Sequence, residues 1–313
     1  MAAKIVILAV GLSGALAAGL TWLGYSKAAA GLRAKSELAL GGESLLVTTL
    51  IDNWLDQRLT SLRGIATLRC VRTVLETAVS LARDDVDATN LALSDIAVLA
   101  PEIESIDVID LRGGTIASTT DEAPTKDVLE RPEIRSAMAG RDFVSGVLLS
   151  PSSHAPAIYT SVPVRGSNGT VIGIVRARET IDRLQKLIAA SRTRVGPIAE
   201  GVLLDREGVV VATTVDAQWV LHPVAAEAAE LRDLRDTKSR RVFAWTVSGE
   251  QHVAVAEPSA RAHWTYAAAL PLAYVEGDAR SFLRRAIMGA LVGLTMAAIL
   301  ALVLARRTVG AVH

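Results

Sequence analysis

Sulfur and aromatic side chains are scarce in this chain of 313 residues, which holds one cysteine, three phenylalanines, four tyrosines and five tryptophans. A single cysteine, Cys70, excludes an intramolecular disulfide, a CxxC redox pair and a multi-cysteine zinc site. Within a helical pattern it reads as an inert small hydrophobe. Neither sign of charge is in excess, since 33 basic residues face 33 acidic ones. There is no basic field to hold a nucleic-acid backbone, and nucleic acid is not an expected partner. The five histidines, His154, His222, His252, His263 and His313, lack ligand spacing such as HxxxH, so no metal and no cofactor are expected. Half of the residues are hydrophobic and 21% are charged, a composition that excludes disorder and at this length predicts about two domains.

The hydrophobicity is concentrated at the two ends. Residues 5–25 and 286–305 carry no charge, and each approaches the roughly 20 residues needed to cross a bilayer. Both are expected as transmembrane helices. The first has an alternative as a signal peptide, with Lys4 as a basic n-region and Ala28, Ala29 and Ala30 as a cleavage site, but it exceeds the usual h-region of about 7 to 15 residues. Lys4 before the first span and Arg306 and Arg307 after the second place both termini in the cytoplasm by the positive-inside rule. Residues 26–285 then lie outside the cytoplasmic membrane and carry a net charge of roughly minus three. Residues 306–313 form a cytoplasmic stub too short to fold, so the signalling output is expected from a longer form of this chain or from a separate protein.

Between the spans, Val47, Leu50, Ile51, Trp54, Leu55, Leu59, Leu62, Ile65, Ala66, Leu68 and Val74 recur at helical spacing. They predict a long stalk helix within residues 34–85, whose stripe serves as core packing or as a homodimer seam. A second helix is expected over 90–99, ended by Pro101. Residues 103–110 and 115–118 read as strands joined by a glycine-bearing turn. Strands at 144–149, 157–164 and 170–176 follow. A helix at 179–191 then leads into a second set: strands 201–204 and 209–213 around Asp205-Arg206-Glu207-Gly208, then 241–247, 252–257 and 264–270. The repetition predicts an α+β fold with two related modules built on antiparallel sheets, a membrane-distal one at 86–192 and a membrane-proximal one at 193–282. Trp219, Trp245 and Trp264 are expected to pack the proximal module, with an aromatic ligand cage as the alternative.

This order, together with Leu129-Glu130-Arg131-Pro132, Ala137-Met138-Ala139-Gly140, Val144-Ser145-Gly146, Ser161-Val162-Pro163-Val164 and Gly169 with Ile172-Gly173-Ile174-Val175, resembles the double Cache domain. That domain is a pair of tandem PAS-like modules, the extracytoplasmic sensor of bacterial chemoreceptors, histidine kinases and cyclic-nucleotide signalling enzymes. The resemblance implies a ligand pocket in the distal module, faced by a basic residue and aromatics on a short helix. Here Glu133 and Ile134 replace the aromatic pair that commonly follows the arginine and proline, which makes an amino-acid ligand less expected. The position matched to an ammonium-binding acid in amine-binding relatives is Arg178.

Arg131 and Arg135 on that helix, with Arg178, favour a carboxylate or another oxyanion through guanidinium recognition. Alternatively, these arginines pair with Glu130, Glu133 or Asp182 at the surface. Ser118, Thr119, Ser150, Tyr159 and Ser161 are the candidate hydrogen-bonding partners. Between the spans no GxSxG elbow and no Walker or GxGxxG loop is present, and no catalytic residue is assigned. The expected function is sensing: a small anionic metabolite binds the distal module of a two-pass inner-membrane receptor, and the change reaches the second span. A membrane-anchored scaffold would share the spans and fold but fill its distal cavity with large apolar side chains. An outward-facing hydrolase would need a constellation assembled from distant residues.

Overall fold

The computed structural model describes residues 2–77, 82–121, 128–224, 229–235, 237–247 and 249–310. Helix α1 runs unbroken over Ala2–Ala66, about 100 Å at 1.5 Å per residue. It is followed by α2 (Arg69–Glu76) and α3 (Arg83–Val98). The expected stalk helix thus breaks at Thr67 and Leu68. The Thr67 hydroxyl donates to the Gly64 carbonyl, and this local bond competes with the helical ladder. Leu68 turns extended, with ψ 137°. The last stretch of the expected helix, residues 78–81, lies outside the described residues.

The distal module then runs through β1 (Ile103–Asp110), β2 (Thr115–Ser118), α4 (Pro132–Met138), β3 (Phe143–Val144), β4 (Leu148–Leu149), β5 (Pro156–Arg165) and β6 (Val171–Thr180). Helices α5 (Asp182–Ala189) and α6 (Ser191–Arg194) connect it to the proximal module. That module comprises β7 (Glu200–Leu204), β8 (Val210–Thr213), α7 (Ala229–Arg232), β9 (Arg241–Val247), β10 (Glu250–Pro258) and β11 (Thr265–Pro271). Helices α8 (Leu272–Val275) and α9 (Gly277–Gly310) follow.

The strand orders are β2-β1-β6-β5-β3, with β4 also on β5, and β8-β7-β11-β10-β9. All the ladders are antiparallel. The two sheets are one topology used twice. Their first turns match in detail: Asp110 Oδ1 accepts from the N–H groups of Arg112 and Gly114, and Asp205 Oδ1 from those of Glu207 and Val209.

Helix α1 backs both sheets. Leu40, Val47, Ile51, Trp54 and Leu55 are buried with Ile158 of the distal sheet and with Leu203, Val255 and Tyr266 of the proximal one. Leu59, Leu62 and Ile65 are buried with Ile106, Val108, Val162 and Val175. The apolar stripe of the stalk is therefore the core of its own chain, each such side chain contributing about 1.5 to 3 kcal/mol on burial. It is not left open as a dimer seam. Cys70 is a partly buried free thiol packed against that same core.

One helix among the described residues is long and apolar enough to cross a membrane, Ala279–Ile299, close to the expected 286–305. The apolar stretch 5–25 forms the start of α1, and the side chains of residues 5–10 lie outside the described ones.

Candidate functional site

Period-two alternation assigns the two faces of the distal sheet. Ile106, Val108, Val162, Val175 and Ala177 face the long helices. Asp107, Tyr159, Ser161, Arg176 and Arg178 face the opposite way, toward α4, and the register sets Asp107 opposite Arg176, Ser161 opposite Arg176 and Tyr159 opposite Arg178. Burial of these five residues is close to complete, yet three of them are charged, while Ile109 and Ile174 on the same face pack against Ile134 and Ala137 of α4.

Two polar clusters share it. In the first, the Arg176 guanidinium donates to Asp107 Oδ2 from Nε at 3.1 Å and from Nη2 at 2.7 Å. The Ser118 hydroxyl donates to Asp107 Oδ1 at 2.8 Å. Arg176 lies 4.6 Å from the centre of the Tyr159 ring, and Arg131 lies 5.8 Å from it, both within cation–π range. Arg131 is the residue that precedes α4, with Pro132 at the first helical position, and its Nη1 stands 3.7 Å from Glu133 Oε1. Arg176 Nη1 is buried and has no acceptor among the described residues, and the same is true of Ser105 Oγ. Leaving a buried donor unmade costs about 1 to 3 kcal/mol, more for a charged one.

The second cluster centres on Glu104. Arg178, almost fully buried, donates from Nε to Glu104 Oε2 at 2.9 Å and from Nη2 to the Ser152 hydroxyl at 2.7 Å. Ser150 and Ser153 donate to the two oxygens of Glu104 at 2.6 Å each.

The expected site residues therefore separate. Arg131, Ser118, Tyr159 and Ser161 gather around Arg176 and Asp107, with the Ser161 hydroxyl donating to the Glu133 carbonyl and so tying α4 to the sheet. Arg178 and Ser150 belong to the Glu104 cluster. Arg135 is a correction: α4 presents Ile134 and Ala137 inward, so Arg135 turns outward and is exposed. Thr119 is another, because it extends the β1–β2 ladder, its N–H donating to the Ile106 carbonyl and its hydroxyl oxygen accepting from the Ile106 N–H. Arg176, Asp107 and Glu104 were missed by sequence reasoning. Strand periodicity carried the signal for the first, since residues two apart share a face and Arg178 was already a candidate.

On the helix-facing side, burial pushes the Glu179 carboxyl up to about 7, against the opposing pull of the Thr160 hydroxyl and Arg58. Among the described residues no group of three or more His, Cys, Asp or Glu could hold a metal ion.

At the five equivalent positions the corresponding face of the proximal sheet is apolar, with Glu200 and His252 paired at its edge. Counting from Asp110 and Asp205, the positions of Asp107 and Arg176 are taken by Val202 and Ala267, which stand opposite each other in the same way. Arg178, Tyr159 and Ser161 correspond to Ala269, Ala254 and Ala256. All five are buried with Leu231, Leu234 and Trp245.

Comparison with known proteins agrees with this architecture. A family model described as Cache domain matches residues 34–279. Among solved structures, the sensor domain of the Vibrio cholerae histidine kinase DctB is 18% identical, with a TM-score of 0.57 over 74% of this chain and 95% of that one. The ligand-binding domain of the Campylobacter jejuni chemoreceptor Tlp3, in complex with 4-methylisoleucine, is 13% identical, with a TM-score of 0.59 over 78% and 94%. That of the Pseudomonas aeruginosa amino-acid chemoreceptor PctC, in complex with GABA, is 18% identical, with a TM-score of 0.57 over 75% and 99%. No curated protein matches the chain by sequence. With a doubled antiparallel sheet on one long helix and a family match across most of its length, the chain belongs to the Cache domain family of sensor domains.

Proposed function

We propose that this chain is the sensing part of a two-pass inner-membrane receptor, that it binds a small carboxylate on the α4-facing side of its distal sheet, and that binding is its function rather than turnover. One observation carries the reading. Arg176 is buried, ion-paired through two of its nitrogens, and among the described residues left with Nη1 unsatisfied beside Tyr159 and Arg131. A carboxylate offers the acceptor that Nη1 lacks. The acid nearest to it, Asp107, is already engaged by Arg176 and Ser118, which disfavours a ligand recognised through an ammonium group alone. The relatives whose ligands are named bind amino acids or GABA, and each of those carries a carboxylate. A scaffold with an apolar distal filling is disfavoured by the charge on this face.

A route toward the membrane starts at the same strand. The Ser145 N–H donates to the Tyr159 carbonyl and the Tyr159 N–H to the Ser145 hydroxyl, both at 2.8 Å. Two residues on, the Val147 N–H donates to Asp205 Oδ2 in the proximal turn at 3.3 Å. Gly146 lies between them, where a Cβ would come within 2.4 Å of that carboxylate. Proximal strand β11 runs directly into α8 and α9, and Glu276 at that junction accepts from Arg33 Nε of α1 at 2.7 Å. A carboxylate that binds one arrangement better shifts the population by its differential affinity and no more. In this account the shift moves α9 relative to α1.

The test is a thermal-shift series on the full chain in detergent with small carboxylates and small amines. Carboxylates should raise the melting temperature as RT ln(1 + [L]/Kd), and the rise should vanish in Arg131→Ala. A response to amines alone, or one unchanged in Arg131→Ala, would reject the proposed site.

A further inference from the structure

Away from the sheet face, a cleft of about 300 Å³ opens at the membrane-distal end of α1. It shares no residue with the carboxylate site. Three guanidiniums line it, from Arg63 near the end of α1, Arg72 on α2 and Arg165 at the end of β5, together with Asp142, Gly140 and Thr67. Asp142 is the one carboxylate among the described residues that line the cleft.

The three arginines are not equivalent. Arg63 directs Nε, at 2.8 Å, and Nη2 onto a single oxygen of Asp142, so its charge is compensated. Arg165 is held by two carbonyls, donating from Nη1 to Gly169 at 3.0 Å and from Nη2 to Gly140 at 3.1 Å. These bonds fix the guanidinium in place, and among the described residues no acid pairs with it, a carbonyl being a dipole and not an anion. Gly140 has φ +76°, and a Cβ there would meet Arg165 Nη2 at 2.9 Å, so the glycine keeps the room the guanidinium occupies. Arg72 forms no ion pair with any acidic residue among the described ones. Two like charges are thus brought to one concave surface, one of them fixed by the backbone.

We propose that this cleft is a second anion site, built for a small oxyanion carrying two negative charges, with Arg72 and Arg165 as its binding residues and Arg63 as a third donor restrained by Asp142. Guanidinium forks suit the oxygens of such ions, and the volume admits a group of that size. The cleft abuts the α1–α2 junction, so occupancy bears on the end of the helix that backs both sheets.

The probes are sodium sulfate and inorganic phosphate at a few millimolar, against sodium chloride of equal ionic strength, because at high concentration both anions stabilise proteins generally. Affinity for the full chain in detergent is read by calorimetry. The expected result is saturable binding of both anions, weakened about tenfold or more in Arg72→Gln and in Arg165→Gln. Asp142→Asn, which removes the competing carboxylate, should tighten it, and a gain of affinity cannot come from misfolding. Arg131→Gln should leave it within about twofold. No saturable binding, or the same affinity in Arg72→Gln, Arg165→Gln and Asp142→Asn, would overturn the site. Loss in Arg131→Gln with retention in Arg72→Gln would also overturn it, by placing the anion on the distal sheet.

Discussion

The two modules share a sheet order and a turn, yet at five equivalent positions one carries Asp107, Tyr159, Ser161, Arg176 and Arg178 and the other carries Val202, Ala254, Ala256, Ala267 and Ala269. The backbone plan leaves the choice open. In the proximal module small alanines admit Trp245, Leu231 and Leu234 from the covering segments, which gives a face closed by its own side chains. In the distal module the same face keeps charges that need partners, and the described residues supply most but not all of them. In the proposed account the distal copy holds the ligand, and the proximal copy stands in the chain between it and α9.

The comparison can be broken from either side. The largest effect is expected for Trp245→Ala, which empties the proximal face and should cost about 4 kcal/mol. Chemical denaturation of the full chain checks this, and carboxylate binding should persist at temperatures where the variant remains folded. Asp107→Ala leaves Arg176 buried without its counter-ion and should cost about 3 kcal/mol in the same assay.

Glu179 predicts a pH dependence. Its folded value of about 7 exceeds the ordinary 4.5, so between these values the native state binds more protons than the unfolded chain. The contribution is fully present below about pH 4.5 and is lost as pH rises toward 7, a change on the order of 1 to 3 kcal/mol. Melting curves at pH 5 and pH 8 should show it, and Glu179→Gln should flatten it. The smallest effect belongs to Arg135→Ala, an exposed change that should move stability by less than about 0.5 kcal/mol and leave carboxylate affinity unaltered by calorimetry.

Much of the fold was legible because it is local. The hairpin of β1 and β2 has the bounds its glycine turn and alternation imply, and the repeat of strands after α5 was visible as a repeated pattern. The helix expected from residue 179 begins later, at Asp182, because Glu179 and Thr180 still pair across β6 with Ile103 and Ala157. That is tertiary pairing overriding a local periodicity. The stripe on α1 was read correctly as apolar, but a periodic stripe does not say whether its cover is this chain or a second copy. For the site, Arg131 and Arg178 were legible as cations on the expected segments. Their separation was not, because it depends on which acid each strand register delivers: Asp107 to Arg176 and Glu104 to Arg178, pairs 69 and 74 residues apart.

The most direct test converts one module's face into the other's. The double variant Asp107→Val with Arg176→Ala gives the distal sheet the residues of the proximal one, and replacing a buried ion pair by apolar groups is often neutral or stabilising. Carboxylate binding to the full chain is then measured by calorimetry beside wild type. The account predicts a folded protein that no longer binds the carboxylate. Undiminished binding in that folded variant would contradict it.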